Sequence, residues 1–363
     1  MIVTVTLNPS LDRTVELDRL VRGQVLRAGS THLDPGGKGV NVTRALLANG
    51  VPSRAVLPVA GADGQQLVDL LEAEGVATEL VRVAGRTRSN IAIAEADGTV
   101  TKVNEPGTAL TAGELDEVLG HALHLGTSGD WVVLCGSLPP GVPADTYARM
   151  VRRLRAAGLR VAVDSSGPPL AHAIDAGPDL AKPNASELAE VAGHALTCRQ
   201  DVVDAAREVQ RRGVGRVLVS LGADGALLVD GPRVVSGRSP VTDPRSTVGA
   251  GDALLAGFLA ATLAGADDAA ALGAGLAWGS AAVRLPGSRM PGPADVAEAR
   301  VELDEDPSDP SRLSAPLDEA VPAPEAAAPV ASAPAAAPIS APTSADHPPA
   351  AEPVPATAPA ASV

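Results

Sequence analysis

The residues best placed to do chemistry lie at Gly249-Ala250-Gly251-Asp252, between a loop and a long apolar stretch that is predicted to be helical. Glycines let backbone N–H groups converge, and a helix N-terminus adds partial positive charge, so Gly249, Ala250 and Gly251 could form a nest for a phosphate. Asp252, in the first turn, could take a proton from an attacking hydroxyl. A glycine turn with an acidic first-turn residue is also common in purely structural roles, so this segment alone leaves both readings open.

A second glycine-rich helix start lies at residues 36–41, where Gly37 and Lys38 are followed by Asn41. The cation and the amide could hold hydroxyls or a phosphate. The segment lacks the spacing of a Walker A loop, and no Gly-x-Gly-x-x-Gly fingerprint of a dinucleotide-binding fold follows the first predicted strand.

Asn184 and Glu187 lie one helical turn apart in the segment 182–187. An amide and a carboxylate on one helix face could organise a hydrated Mg²⁺. The same pair could instead cap the helix N-terminus, with Glu187 at its third position.

Three further candidates follow or precede predicted strands. Ser137 comes directly after a strand, at the end where α/β sheets bind ligands, and Asp12 has a similar position past the first strand. Arg88 precedes a predicted hairpin and could pair with a phosphate. Each of them could equally be an ordinary turn or surface residue.

The elements that must position these residues alternate between strand and helix. Apolar, non-alternating strands are predicted at 2–7, 131–135, 160–164, 180–182 and 216–220, and helices lie between most of them. This rhythm is typical of an α/β fold with a mainly parallel sheet covered on both faces. Shorter, more polar strands at 14–17 and 25–33 and a hairpin at 90–103 interrupt it and predict a small separate sheet, a candidate lid over about 12–35 and 88–104.

Composition divides the chain at about residue 300. Residues 301–363 are rich in Ala, Pro and Ser, and cannot bury enough apolar surface to offset the chain entropy lost on ordering, so we expect a disordered tail after a single domain, 1–300. Ten acidic residues and one arginine give this segment −9 of the formal charge of −14, which leaves −5 on the rest. Neither part has the basic surface of a nucleic-acid binder.

Cys135 and Cys198 are the only cysteines and form no Cys-x-x-Cys or Cys/His cluster, so neither zinc nor a disulfide framework is expected. The start of the chain lacks a basic region before its apolar run, and no stretch is long and apolar enough to span a membrane. We therefore expect a cytoplasmic protein without a membrane partner.

Taken in order, these motifs resemble the ribokinase-like (PfkB-type) carbohydrate kinases across nearly all of residues 1–298, and most of all their phosphosugar branch. The features that carry the resemblance are residues 6–12 (Thr-Leu-Asn-Pro-Ser-Leu-Asp), 36–41 (Gly-Gly-Lys-Gly-Val-Asn), 87–90 (Thr-Arg-Ser-Asn), 136–139 (Gly-Ser-Leu-Pro), 182–184 with Glu187 (Lys-Pro-Asn), 220–225 (Ser-Leu-Gly-Ala-Asp-Gly) and 247–252 (Thr-Val-Gly-Ala-Gly-Asp).

The resemblance implies a three-layer α/β/α core with a β-sheet lid, and lids that pair between the subunits of a homodimer. It implies that Asp252 is the base that deprotonates the acceptor hydroxyl and that residues 249–251 are the anion hole. The phosphosugar-binding positions that it implies are Asp12, Gly37, Lys38, Asn41, Arg88 and Ser137. The positions that it implies for ATP are Asn184, Ser220, Gly222 and Gly225, and Glu187 completes with Asn184 an Asn-x-x-Glu pattern that organises Mg²⁺ through water.

The implied substrate is fructose 1-phosphate, phosphorylated at O6, because Lys38 resembles the members that act on this sugar or on tagatose 6-phosphate. Members that act on fructose 6-phosphate carry glycine there, and the 6-phosphates remain alternatives. A non-catalytic sugar-phosphate sensor would keep the fold without the chemistry, which the intact Asp252 and Glu187 disfavour. A nicotinamide-dependent dehydrogenase is disfavoured by the missing dinucleotide fingerprint.

Overall fold

The computed structural model describes residues 1–304. Its strands are β1 (Ile2–Thr6), β2 (Ser10–Leu17), β3 (Ser30–Gly36), β4 (Ser53–Val59), β5 (Thr78–Arg82), β6 (Arg88–Glu95), β7 (Val100–Asn104), β8 (Trp131–Cys135), β9 (Arg160–Asp164), β10 (Leu180–Ala181), β11 (Arg216–Ser220), β12 (Ala226–Asp230), β13 (Arg233–Arg238) and β14 (Glu302–Asp304). Its helices are α1 (Lys38–Ala48), α2 (Gly61–Ala73), α3 (Ala112–Leu125), α4 (Thr146–Ala156), α5 (Gly167–Asp175), α6 (Ala185–Ala192), α7 (Arg199–Arg211), α8 (Ala250–Leu263), α9 (Asp268–Val283) and α10 (Pro293–Ala297).

The main sheet has ten strands in the order β14-β13-β12-β11-β10-β9-β8-β1-β4-β5. Seven neighbouring strands of this sheet are parallel to one another: β11, β10, β9, β8, β1, β4 and β5. Strands β12, β13 and β14 extend the sheet by antiparallel pairing. Every residue of β1 and β8 is buried, as a parallel strand with helices on both faces requires. The predicted three-layer α/β fold with a mainly parallel sheet is confirmed.

Alternate residues of the parallel strands point into two large aliphatic cores, and a third, smaller core lies between β4 and α2. Val132 and Leu134 point to the layer that contains α3, α4, α5, α6 and α7, whereas Trp131 and Val133 point to α1, α8 and α9. Trp131, Tyr147 and Phe258 are the aromatic side chains among the largest that are fully buried, so both cores consist chiefly of Val, Leu and Ala.

A separate four-stranded sheet, which we call the lid sheet, has the order β3-β2-β6-β7. Strand β2 begins four residues before the predicted 14–17, because the polar residues Ser10 and Asp12 pair in register with Arg88 and Asn90 of β6. Strand β3 is shifted along the chain from the predicted 25–33 to Ser30–Gly36, where it pairs with β2. The separate small sheet is therefore confirmed, with a longer β2 and a shifted β3.

The predicted start of the disordered tail is wrong by a few residues. Residues 302–304 form β14, which pairs with β13 from Ser236 to Arg238 because the edge of the antiparallel extension offers free backbone groups. Arg238 also forms an ion pair with Glu302, at 2.7 Å. The rest of the predicted tail, 305–363, lies outside the described residues. Within residues 1–304, no helix is both long enough and apolar enough to cross a bilayer.

Candidate active site

The N-terminus of α8 forms a small nest of backbone N–H groups. Gly249 caps the helix with φ of 78°, in the left-handed region that favours glycine, and a β-carbon there would lie 2.7 Å from Cε of Met290. The first four N–H groups of a helix have no acceptor within it, so the amides of Gly249, Gly251 and Asp252 can turn toward an anion. The Ala250 amide makes a long hydrogen bond, 3.4 Å, to the Thr247 carbonyl.

The Asp252 carboxylate sits in the first turn of this helix and is 7% exposed. Nδ2 of Asn41, on α1, donates a 2.9 Å hydrogen bond to its Oδ2. Burial, helped by the negative charge of Asp164, raises the pKa of Asp252 to about 6, although Lys38, Lys182 and the Asn41 hydrogen bond oppose the rise. A carboxylate with a pKa near 6 is a competent proton acceptor at neutral pH.

Asp164, at the end of β9, is fully buried between two lysines. Lys38 Nζ contacts its Oδ1 at 2.7 Å, and Lys182 Nζ contacts its Oδ2 at 3.0 Å. Burial alone would raise the pKa of Asp164, but the two ammonium groups outweigh it and hold that pKa below its usual value. Lys182 also lies against the nest, since a β-carbon at Gly251 would be 3.4 Å from its Nζ.

The sequence pattern predicts no role for Asp164, and it includes Lys182 only as part of the 182–184 motif. Asp164 closes an apolar strand and Lys182 follows the next strand, and these ends meet at the carboxyl edge of the parallel sheet. A charged residue directly after a buried strand is the signal that could have identified both.

The lid sheet presents a polar row to a cavity of about 210 Å³. Asp34, Asp12, Asn90 and Asn104 lie side by side on its four strands. Asp12 Oδ1 accepts hydrogen bonds from Ser10 Oγ at 2.7 Å and from Asn90 Nδ2 at 2.9 Å. The row therefore offers oriented carboxylates and amides, which suit sugar hydroxyls.

Arg88 and Ser137 meet at Asn8, which follows β1. Arg88 Nε donates to the Asn8 carbonyl at 3.2 Å, and Asn8 Nδ2 contacts Ser137 Oγ at 3.3 Å. Burial lowers the pKa of Arg88, although Asp12 opposes the change. Both residues thus lie at the same edge of the sheet as Lys38, which the structure pairs with Asp164 and, at 3.7 Å, with Glu187.

Asn184 and Glu187 form a complete capping box at the start of α6. Asn184 Oδ1 accepts from the Glu187 amide at 2.8 Å, and Glu187 Oε2 accepts from the Asn184 amide at 2.8 Å. The pair therefore caps the N-terminus of α6, which is one of the two roles that its spacing allows. Glu187 Oε1 remains turned toward Lys38, so its carboxylate can still face the site.

The predicted nucleotide positions lie beside this cap. Asn184 bridges to Ser220 at the end of β11, and Gly222 and Gly225 form the following turn with φ of 61° and 92°. A β-carbon at Gly225 would overlap the Gly237 carbonyl of β13, so this glycine also has a packing role. At Gly222 nothing lies within 4 Å of such a carbon, which leaves its backbone open.

Magnesium fits this site only as a hydrated ion. The described residues contain no group of three or more His, Cys, Asp or Glu side chains arranged to hold a metal. Asn184 Oδ1 already accepts bonds from Ser186 and Glu187, while Asp164 is neutralised by lysines. Mg²⁺ usually keeps several of its water ligands, and Glu187 Oε1 is suited to accept a hydrogen bond from one of them.

The chain is similar to known carbohydrate kinases along most of its length. Residues 5–295 match the sequence model of the pfkB family carbohydrate kinases. A 1-phosphofructokinase of Rhodobacter capsulatus is 40% identical over 82% of this chain and 94% of its own length. The ATP-dependent 6-phosphofructokinase isozyme 2 of Escherichia coli is 36% identical over 80% of this chain and 94% of its own length.

Solved structures show the same architecture. The crystal structure of phosphofructokinase-2 from Escherichia coli in complex with substrates and products matches with a TM-score of 0.78 and 35% identity, over 82% of this chain and 97% of that one. A tetrameric inhibited form of the same enzyme matches with a TM-score of 0.77, 35% identity and the same coverage of both chains.

Proposed function

Because the chain belongs to the pfkB family of carbohydrate kinases, we propose that it transfers the γ-phosphoryl group of ATP to O6 of fructose 1-phosphate. The product is fructose 1,6-bisphosphate. The observation that carries the chemistry is the buried Asp252, hydrogen-bonded to Asn41 and placed in the first turn of a helix whose N-terminal amides can form a nest for an anion.

In the proposed reaction the O6 hydroxyl gives its proton to Asp252. Its oxygen forms a new bond to the γ-phosphorus, and the bond from that phosphorus to the β–γ bridging oxygen breaks, which releases ADP. The amides of residues 249–251 stabilise the charge on the transferred group, and Lys182 next to Gly251 adds a positive charge. Mg²⁺ bound with the ATP phosphates would neutralise further charge, with Glu187 holding it through water.

We assign the two substrates to opposite sides of Asp252. Asp12, Gly37, Lys38, Asn41, Arg88 and Ser137 are proposed to bind the phosphosugar beneath the lid sheet, and Asn184, Ser220, Gly222 and Gly225 are proposed to bind ATP. Closure of the lid sheet over the sugar would exclude water, which otherwise competes as phosphoryl acceptor. ATP is supplied in the cytoplasm, so we propose that location.

The choice of sugar rests on Lys38 and on the relatives named 1-phosphofructokinase. A relative named for 6-phosphofructokinase activity at similar identity supports the alternative, fructose 6-phosphate. The test is to measure kcat/KM with MgATP for fructose 1-phosphate, fructose 6-phosphate and tagatose 6-phosphate.

We expect fructose 1-phosphate to be favoured by at least about tenfold, which corresponds to about 1.4 kcal/mol of transition-state binding. A preference for either 6-phosphate would overturn the substrate assignment while leaving the kinase chemistry intact. Binding of a phosphosugar without any ADP formation would instead support a sensor.

We also propose that the lid sheet pairs with that of a second copy of this chain. Val25, Val100 and Val103 are exposed by 91%, 51% and 53%, and all three lie within the lid segments. Exposed valines near an open sheet edge favour association. Sedimentation equilibrium should show a dimer of the intact chain, and Val103→Lys should weaken it, because the interface would bury an ammonium group. A wild-type monomer at micromolar concentration would contradict the proposal.

A further inference from the structure

Arg44 is a nearly fully buried arginine on α1, one turn beyond Asn41, and its side chain is 6% exposed. Its Nε and Nη2 donate to the two carboxylate oxygens of Glu74 at 2.7 Å each, in a bidentate ion pair next to the end of α2. Such a pair uses one edge of the guanidinium and fixes its plane. Nη1 is left to point away from Glu74 toward the site.

Nη1 reaches groups from two other parts of the site. It donates to the Ser288 carbonyl at 3.0 Å, with longer contacts to Ser288 Oγ and to the Pro35 carbonyl at 3.4 Å. Ser288 lines the cavity, and Pro35 belongs to β3 of the lid sheet between Asp34 and Gly36. One buried cation therefore ties the cavity wall to the lid strand.

The remaining Nη1 contact is to Oδ1 of Asn41 at 3.5 Å, while Nδ2 of the same amide donates to Asp252. The amide thus has its oxygen toward a cation and its NH₂ toward a carboxylate. A flipped amide would place its oxygen against Asp252 and its NH₂ against Arg44, which is unfavourable at both ends.

We propose that Arg44 is a positioning residue for phosphoryl transfer, which holds the Asn41 amide in the orientation that donates to Asp252 and holds Ser288 against the lid strand. This inference rests on the proposed role of Asp252. Arg44 itself contacts neither Asp252 nor the cavity.

The charged and titratable groups that face Asp252 are Lys38 from α1, Cys135 from β8, Asp164 from β9 and Lys182 after β10. Burial raises the pKa of the Cys135 thiol well above its usual range, so it stays neutral. The acids beside Arg44, Glu74 and Asp34, are not among the main groups that shift the pKa of Asp252. The Asn41 hydrogen bond lowers that pKa and is the link through which Arg44 acts.

The test compares pH profiles of kcat/KM and values of kcat for Arg44→Ala, Arg44→Lys and Glu74→Gln in the full chain, with MgATP and fructose 1-phosphate. Activity requires ionised Asp252, so it falls on the acidic side as pH drops through the pKa. We call this fall in kcat/KM the acidic limb. In both Arg44 variants we expect the acidic limb to move to higher pH by about one unit, which is the effect of losing a hydrogen bond to a carboxylate. We expect kcat to fall about tenfold to a hundredfold, since small misplacements of catalytic groups are costly.

Arg44→Lys keeps the positive charge, but the lysine side chain is too short to reach both Glu74 and Asn41. A shift of the acidic limb in this variant would therefore result from the lost contacts and not from a lost charge. This variant also keeps the proposal testable if Arg44→Ala does not fold. Glu74→Gln removes the charge of the pair, but the amide oxygen of Gln can still accept from Arg44 and keep the plane of the guanidinium. The Nη1 contacts should therefore remain, and this variant should lose thermal stability without a shift of the acidic limb. Guanidinium ion added to Arg44→Ala should restore part of kcat, whereas potassium at equal ionic strength should not.

A wild-type limb in both Arg44 variants would overturn the proposal, as would an equal shift in Glu74→Gln. Absence of an acidic limb in the wild-type enzyme would instead count against the role of Asp252.

Discussion

Asp252→Asn is expected to bind fructose 1-phosphate with near-normal affinity and to turn over about 10²- to 10⁴-fold more slowly, the usual contribution of a general base. The two side chains have the same shape, and Asn41 can still donate to the new amide oxygen. The amide cannot accept the O6 proton, so only the chemical step is lost. ADP release measured by a coupled assay gives kcat, and calorimetric titration without ATP gives the affinity for the sugar.

The pH profile supplies an internal control for this variant. Wild-type kcat/KM should fall on the acidic side near pH 6, where the pKa of Asp252 lies. The residual activity of Asp252→Asn should lack that limb, because the group that titrates is gone. Near-normal kcat in the variant would refute the assignment of the base.

Asp252→Asn should raise the free energy of unfolding although it lowers activity. The folded-state pKa of Asp252 lies above the unfolded value of 3.8, so the folded protein loses stability as pH rises from about 4 to 6, and the loss persists above 6. Removing the ionisable group should therefore raise the free energy of unfolding at neutral pH, on the order of 2 kcal/mol. Thermal unfolding of both proteins at pH 7.5 and pH 5 separates this effect from a change in packing, which would not depend on pH.

Asp164→Asn is expected to lower the free energy of unfolding by about 3 kcal/mol or more, because loss of one partner leaves buried charges uncompensated. Lys182 is 4% exposed and would remain buried next to Lys38 without their shared counter-ion. Urea unfolding measures the loss. Turnover should also fall, since the Lys182 ammonium loses the carboxylate that holds it beside Gly251.

The same substitution should shift the acidic limb of kcat/KM to lower pH. The negative charge of Asp164 raises the pKa of Asp252, and its removal also leaves Lys38 and Lys182 unneutralised, so both changes favour ionised Asp252. Asp268→Asn is a matched control, because Asp268 is also an ion-paired aspartate but lies away from the site. Its carboxylate contacts Arg216 at 3.3 Å and Arg233 at 3.4 Å. The control should lose stability and keep both kcat and the limb. A limb that stays in place in Asp164→Asn would show that Asp164 and Asp252 are not coupled.

Local sequence patterns predicted much of the fold. The apolar strands near 131–135 and 160–164 predicted a parallel sheet covered on both faces, and the fold follows that pattern because the side-chain period of a strand depends only on neighbouring residues. The polar segments around Asp12 and Asn90 predicted a separate small sheet for the same reason. The start of the tail was misplaced because β14 depends on an edge offered by β13, more than sixty residues earlier.

Asn184 and Glu187 show where a local pattern stops being decisive. Their spacing fits both a capping box and a Mg²⁺-organising pair, and the structure realises the cap while leaving one Glu187 oxygen toward Lys38. The nucleotide and metal roles of this pair therefore stay predictions.

The sequence by itself determined the glycine nest with Asp252 at the start of a helix, since two glycines, an alanine and an acid within one turn need only local backbone geometry. Only the tertiary structure decided that Asp252 is buried, that Asn41 donates to it, and that Asp164 and two lysines surround it. Asn41 and Asp252 are 211 residues apart, and Arg44 and Ser288 are 244 apart. Such contacts follow from the order of strands in the sheet, and the raised pKa of the base follows from desolvation, which exists only once the chain has folded around it.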